Sequence, residues 1–143
     1  MTDASPDVAP RYLPAGYHDG GFGPAAAGGF TGLADQVTLI YPASEGATEP
    51  HRSLQVHFTP RPGQQLVATD QAQAKVVDLD GHCGYYHDGM AVQVGRKPDG
   101  SALVQWQHVV HSITVSTSRG TFAVRAPASL PYPELHTVTR SLL

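Results

Sequence analysis

Met90-Ala91-Val92-Gln93-Val94-Gly95-Arg96-Lys97-Pro98-Asp99-Gly100-Ser101-Ala102-Leu103-Val104-Gln105-Trp106 is the stretch whose reading decides the fold. Val92 and Val94 stand in phase at a period of two, the side-chain repeat of a strand rather than a helix. Pro98-Asp99-Gly100 is the clearest turn signal in the chain. Proline presets φ, aspartate hydrogen-bonds its own backbone, and glycine takes positive φ without a steric cost. Ala102 to Trp106 then resumes an apolar run. Strand, turn and strand make an antiparallel hairpin.

Working toward the C-terminus, Ile113 and Val115 mark a further strand. Arg119-Gly120 makes a second turn, Phe122 and Val124 a return strand, and Pro127 and Pro131 end the β section. Pro133 suits a first helical turn, where its missing N–H is no loss. Glu134 complements the positive end of the helix dipole. Leu135, Val138 and Leu142 fall at i, i+3 and i+7, an apolar stripe that needs a surface to pack on.

Working toward the N-terminus, 76–79 is a strand running into Gly81 and Gly84, where glycine within a strand suggests a bulge; Tyr85 and Tyr86 resume it on opposite faces. Residues 53–58 alternate, with Leu54, Val56 and Phe58 on one face and Gln55 and His57 on a second, expected wet, face. Residues 37–41 form another strand. Residues 42–50 and 60–75 read as loops, the latter with at most a weak edge element. Residues 18–34, rich in glycine and alanine, read as a long mobile loop, and 11–17 as a short extended segment. Residues 1–10 are expected to be a disordered start, and 11–143 a single domain. The expected class is α+β: a curved antiparallel sheet, a half-barrel of about six or seven strands, with one C-terminal helix packed on it.

Composition agrees. The chain has 143 residues, 15 Gly and 12 Pro, and only 15% charged residues, which excludes a coiled coil or helical bundle. A hydrophobic fraction of 41% and a net charge of −3 exclude a disordered charged tail. No Lys/Arg cluster exists, so no nucleic-acid partner is expected. No apolar run is long enough for a membrane span, and Met-Thr-Asp-Ala-Ser-Pro-Asp carries neither the basic nor the apolar region of a signal peptide. The expected location is cytoplasmic by default. The single Cys83 excludes an internal disulfide and every multi-cysteine zinc pattern.

The order of segments resembles a bacterial domain. Tyr12-Leu13-Pro14-Ala15-Gly16-Tyr17 resembles the opening of a domain of unknown function found at the extracytoplasmic end of anti-sigma-factor-like and sporulation-associated proteins. Val37-Thr38-Leu39-Ile40-Tyr41 resembles its first long strand, and Ser53-Leu54-Gln55-Val56 its second. Leu79-Asp80-Gly81-His82-Cys83-Gly84-Tyr85 resembles its glycine-containing segment. Leu103-Val104-Gln105-Trp106 resembles its tryptophan strand, and the segment from Pro133 to Leu142 its closing helix. The resemblance implies the half-barrel-and-helix design of lipoprotein carriers and stress sensors, and an extracytoplasmic location behind an upstream anchor. It brings no catalytic residues. The family turns just after the tryptophan, whereas Gln107-His108-Val109-Val110-His111 contains no turn residue.

Several residues invite chemistry. Cys83 and His87 are candidate metal ligands if a bend at Gly84 brings them together; the alternative is a turn with exposed polar tips. His108 and His111 fall on opposite faces of a strand, one toward solvent and the other at the edge of the core. Ser112, Cys83, His87 and Asp88 supply the residue types of a nucleophilic triad, but no nucleophile elbow surrounds them. Gly21-Phe22-Gly23-Pro24-Ala25-Ala26 matches a dinucleotide fingerprint in letters only, since no strand precedes it. Asp78 and Asp80 fail the calcium-loop pattern and are expected to share a solvated strand face. No cofactor is implied. Tyr41, Phe58, Tyr85 and Trp106 are candidates to line a ligand-binding pocket inside the half-barrel; the alternative is that they fill the core.

The leading expectation is a non-enzymatic binding or sensing domain whose concave sheet face meets a hydrophobic small molecule or a protein partner. One rival is a small barrel-type enzyme of the cyclase or isomerase class, using pocket His and Tyr as acid and base. Another is a structural assembly module, with homodimer formation through a sheet edge. The eight His also admit a pH response, since protonating all of them moves the formal charge from −3 to −3 + 8 = +5.

Overall fold

The computed structural model describes residues 9–17, 22–23, 37–43, 52–60 and 74–143. The strands are β1 (Phe22–Gly23), β2 (Val37–Pro42), β3 (Ser53–Thr59), β4 (Lys75–Leu79), β5 (His82–Arg96), β6 (Ala102–Thr117) and β7 (Gly120–Pro127), followed by helix α1 (Tyr132–Arg140). They form one curved, unclosed antiparallel sheet in the order β1-β2-β3-β7-β6-β5-β4. The expected half-barrel with a single C-terminal helix is therefore the architecture found.

Strand parity divides the side chains between two faces. One face bears Leu39, Tyr41, Leu54, Val56, Phe58, Ile113, Val115, Phe122 and Val124, all buried in one cluster with Leu135, Val138 and Leu142 from the C-terminal segment. The Phe58 and Phe122 rings meet at 4.8 Å. The i, i+3, i+7 stripe thus has the partner it needed, at a gain of roughly 1.5–3 kcal/mol per buried aliphatic side chain. Pro133 sits in the first turn of α1, and Glu134 accepts a hydrogen bond there from the Tyr12 hydroxyl.

Four local readings change. Gly81 marks a turn rather than a bulge: Asp80 (φ 54°) and Gly81 (φ 92°) are the two central residues of a tight hairpin joining β4 to β5. Both take positive φ, as the twist of a two-residue hairpin requires. Asp80 therefore leaves the strand, and only Asp78 stays on it, with its carboxylate accepting the Gly81 N–H at 3.1 Å. The segments around Tyr85 and Met90 belong to one strand of 15 residues, and those around Trp106 and Ile113 to one of 16. Finally, Gln55 and His57 are not wet. They are 1% and 0% exposed, and every residue of β3 and β7 is buried.

The expected disordered start lies outside the described residues over 1–8. So does most of the expected glycine-rich loop, within which only β1 is described, and so do 44–51 and 61–73.

Candidate protein-binding surface

The two longest strands outrun their neighbours. β4 pairs with β5 only as far as Tyr86, and β7 pairs with β6 only from Val110 onward. Beyond those limits, among the described residues, 90–96 of β5 and 102–107 of β6 pair only with each other. They project from the sheet as a two-stranded arm, about 25 Å long at the usual rise of a strand. Its tip is the expected Pro98-Asp99-Gly100 turn. There the Lys97 N–H donates to Ser101 O at 2.8 Å, and the Asp99 carboxylate accepts from the Ser101 hydroxyl and N–H. These two bonds hold the Asp99 carboxyl below its ordinary pKa.

The arm starts at a break in register. Between the pairs Asp88/His111 and Met90/Gln107, β5 holds one residue and β6 holds three. Extra residues on one strand bend and twist the ladder. The turnless Gln107–His111 segment is accommodated here, as a bulge within a continuous strand. Gly89 (φ 109°) sits opposite it, and the Trp106 indole N–H donates to Asp88 O at 3.0 Å. His108 lies 3.5 Å from the Asp88 carboxylate, with both side chains exposed.

Apolar side chains are left in solvent along this arm and at its root: Val94 (48% exposed), Leu103 (42%), Val104 (54%) and Val109 (42%). An isolated hairpin is marginal in water, and adjacent Leu103 and Val104 show apolar groups on both faces of this one.

The residues singled out from sequence are distributed as follows. Tyr41 and Phe58 face α1 within the core, Tyr85 lies exposed on the opposite face, and the half-buried Trp106 belongs to the arm. These four do not line a common pocket. Cys83 and His87 share a face of β5, but four extended residues place them about 13 Å apart, too far for one metal ion. Cys83 is exposed and His87 buried. Among the described residues no group of three or more His, Cys, Asp and Glu side chains is arranged to hold a metal. His108 faces solvent and His111 is buried at 5% exposure, the division expected of them. No described helix is long and apolar enough to cross a membrane.

Two polar constellations escaped the sequence reading. On the sheet face away from α1, Gln55, Arg125, Ser112 and His87 stand opposite one another across four adjacent strands, all buried. Arg125 donates to Gln55 Oε1 at 2.9 Å, and burial lowers the Arg125 pKa to about 10. The neighbouring His57 shares a 3.0 Å hydrogen bond with Thr38 Oγ1; burial first, then the Arg125 charge, hold its pKa well below the usual 6.5. On the helix side, Tyr86 and His111 share a 2.9 Å hydrogen bond, and Tyr86 meets Tyr132 edge to face. Burial lowers the His111 pKa and raises that of Tyr86. A cleft of about 180 Å³, bordered by His82, Arg119, Phe122 and Leu142, opens near the end of the helix. That volume is below the usual range for small-molecule sites. No family model, curated protein or solved structure matches this chain.

Proposed function

We propose that the chain is a binding module that engages a protein partner through the β5–β6 arm. The observation that carries this reading is the arm itself, a ribbon that no third strand joins among the described residues and that shows Val94, Leu103 and Val104 to solvent. The filled helix-bearing face favours a protein over a small hydrophobic ligand, because its aromatic side chains are committed to the core. The resemblance to an extracytoplasmic sensor domain supports the same class. His57 and His111, the buried histidines with lowered pKa, act in this reading as neutral hydrogen-bonding groups inside the fold.

The test is a photo-reactive residue placed at Val94 or Val104, with Val76 on β4, 70% exposed, as control, in cells that make the protein. Discrete protein adducts are expected from the arm positions and not from position 76. Equal adducts from all three positions, or none, would count against the arm.

A further inference from the structure

We propose that the edge of β6 over 102–108, which no described strand covers, pairs with the same edge of a second copy, making a two-fold dimer centred on Gln105. The proposal rests on the reading of the arm as the binding surface and names its partner. Natural sheets guard exposed edges with charge, proline or brevity. Residues 102–108, Ala-Leu-Val-Gln-Trp-Gln-His, carry no Lys, Arg, Asp, Glu or Pro.

The extent of the edge fixes the register. It begins with β6 at Ala102 and ends where Val109 O accepts the Ala128 N–H at 3.0 Å, the point at which the chain leaving β7 occupies that side. The midpoint of 102–108 is Gln105. A two-fold axis normal to the sheet makes the joined strands antiparallel and keeps each side chain on its own face. Opposed residues must then differ by an even number of positions. Centring on Gln105 meets this condition throughout: Gln105 faces its own copy, Val104 faces Trp106, Leu103 faces Gln107 and Ala102 faces His108.

The pairs are compatible. Val104 with Trp106 is a β-branched residue against an aromatic one, a favourable cross-strand pair, and the symmetry supplies it twice. No pair opposes like charges. Two marginal ribbons become one four-stranded sheet, which meets the condition for stability that a lone hairpin lacks. The interface is isologous, so it closes at two copies rather than growing into a fibre.

The self-opposed position gives a specific test. Gln105 is exposed, so Gln105→Lys and Gln105→Glu leave each protomer's thermal unfolding unchanged. By sedimentation equilibrium the wild type is expected to dimerise with increasing concentration. Each variant alone is expected to associate about fivefold more weakly, because it places like charges directly opposite. An equimolar mixture is expected to recover dimers, now Lys against Glu. A wild type that stays monomeric at millimolar concentration overturns the proposal. So does a dimer that ignores both substitutions, or a mixture no stronger than its components. A monomer whose arm still forms photo-adducts with a different protein overturns self-pairing and leaves the arm as the binding surface; a monomer without arm adducts removes both.

Discussion

The Trp106 indole N–H donates to the Asp88 carbonyl across 3.0 Å, at the point where the ladder between β5 and β6 changes register. The bond ties the bulged strand to its partner at the root of the arm. Gly89 makes the approach possible. A Cβ at that position lies 2.8 Å from Trp106 Cε2 and 2.9 Å from Gln107 O, and the backbone there has φ 109°. Gly89→Ala is expected to cost at least about 1–2 kcal/mol from the positive φ alone, with the clash in addition. Hydrogen exchange checks it: amides of 90–107 lose protection while β3 and β7 keep theirs. Unchanged protection in the arm would show that Trp106 does not fasten its root.

The sheet was legible in the chain because its strands repeat at two and its turns use distinctive residues. Pro98-Asp99-Gly100 lies where it was expected, and the second turn lies one residue earlier, at Ser118-Arg119, with Gly120 opening β7. The closing helix was legible because Leu135, Val138 and Leu142 make one stripe. What failed was the inference from polarity to exposure. Gln55 and His57 alternate with apolar neighbours as a solvated face does, but they are buried. Their partners Arg125 and Thr38 lie 70 and 19 residues away, so no local pattern announces them. The arm was hidden for a related reason. The 88–111 segment shows alternation on both sides of its bulge, but nothing in it says where β4 and β7 stop.

His57 makes stability depend on pH. Its folded pKa is depressed, so the folded state favours the neutral ring. The contribution is fully present above the unfolded value near 6.5. It is lost as pH falls from there toward the folded pKa, because the unfolded chain takes up the proton first. The slope from this residue approaches about 1.4 kcal/mol per pH unit at its steepest. His111, whose pKa is also lowered, adds in the same direction. Urea unfolding at pH 7.5 and 5.5 is expected to show the wild type weaker at the lower pH, and His57→Gln with a shallower dependence. Identical pH slopes would show that His57 titrates alike in both states. The buried rings also limit the overall charge change on mild acidification to less than the formal swing from −3 to +5.

Leu135 measures how strongly α1 holds the sheet. It is fully buried against the Phe122 and Val124 face. Leu135→Ala is expected to destabilise by about 2–5 kcal/mol, the range for a large-to-small change in a packed core. Val76→Ala, at 70% exposure on the edge strand, is expected to stay within about 0.5 kcal/mol. Chemical denaturation of both variants checks the contrast. A small loss at Leu135 would mean the helix contributes little to the cooperative unit.

Arg125 and Gln55 form a charged donor and a neutral acceptor inside the second face. Gln55→Leu removes the acceptor and leaves the guanidinium in a site 2% exposed. The expected cost is about 1–3 kcal/mol, the penalty of an unmet bond at a charged group. Arg125→Met removes the charge and leaves the amide with one bond fewer. Replacing both at once with Gln55→Leu and Arg125→Met takes away the polar requirement from both strands together. The double variant is therefore expected to lose less than the sum of the singles, by about 0.5–3 kcal/mol. Additive losses in urea unfolding would show that the pair is not coupled, and that Arg125 is held mainly by its other contacts.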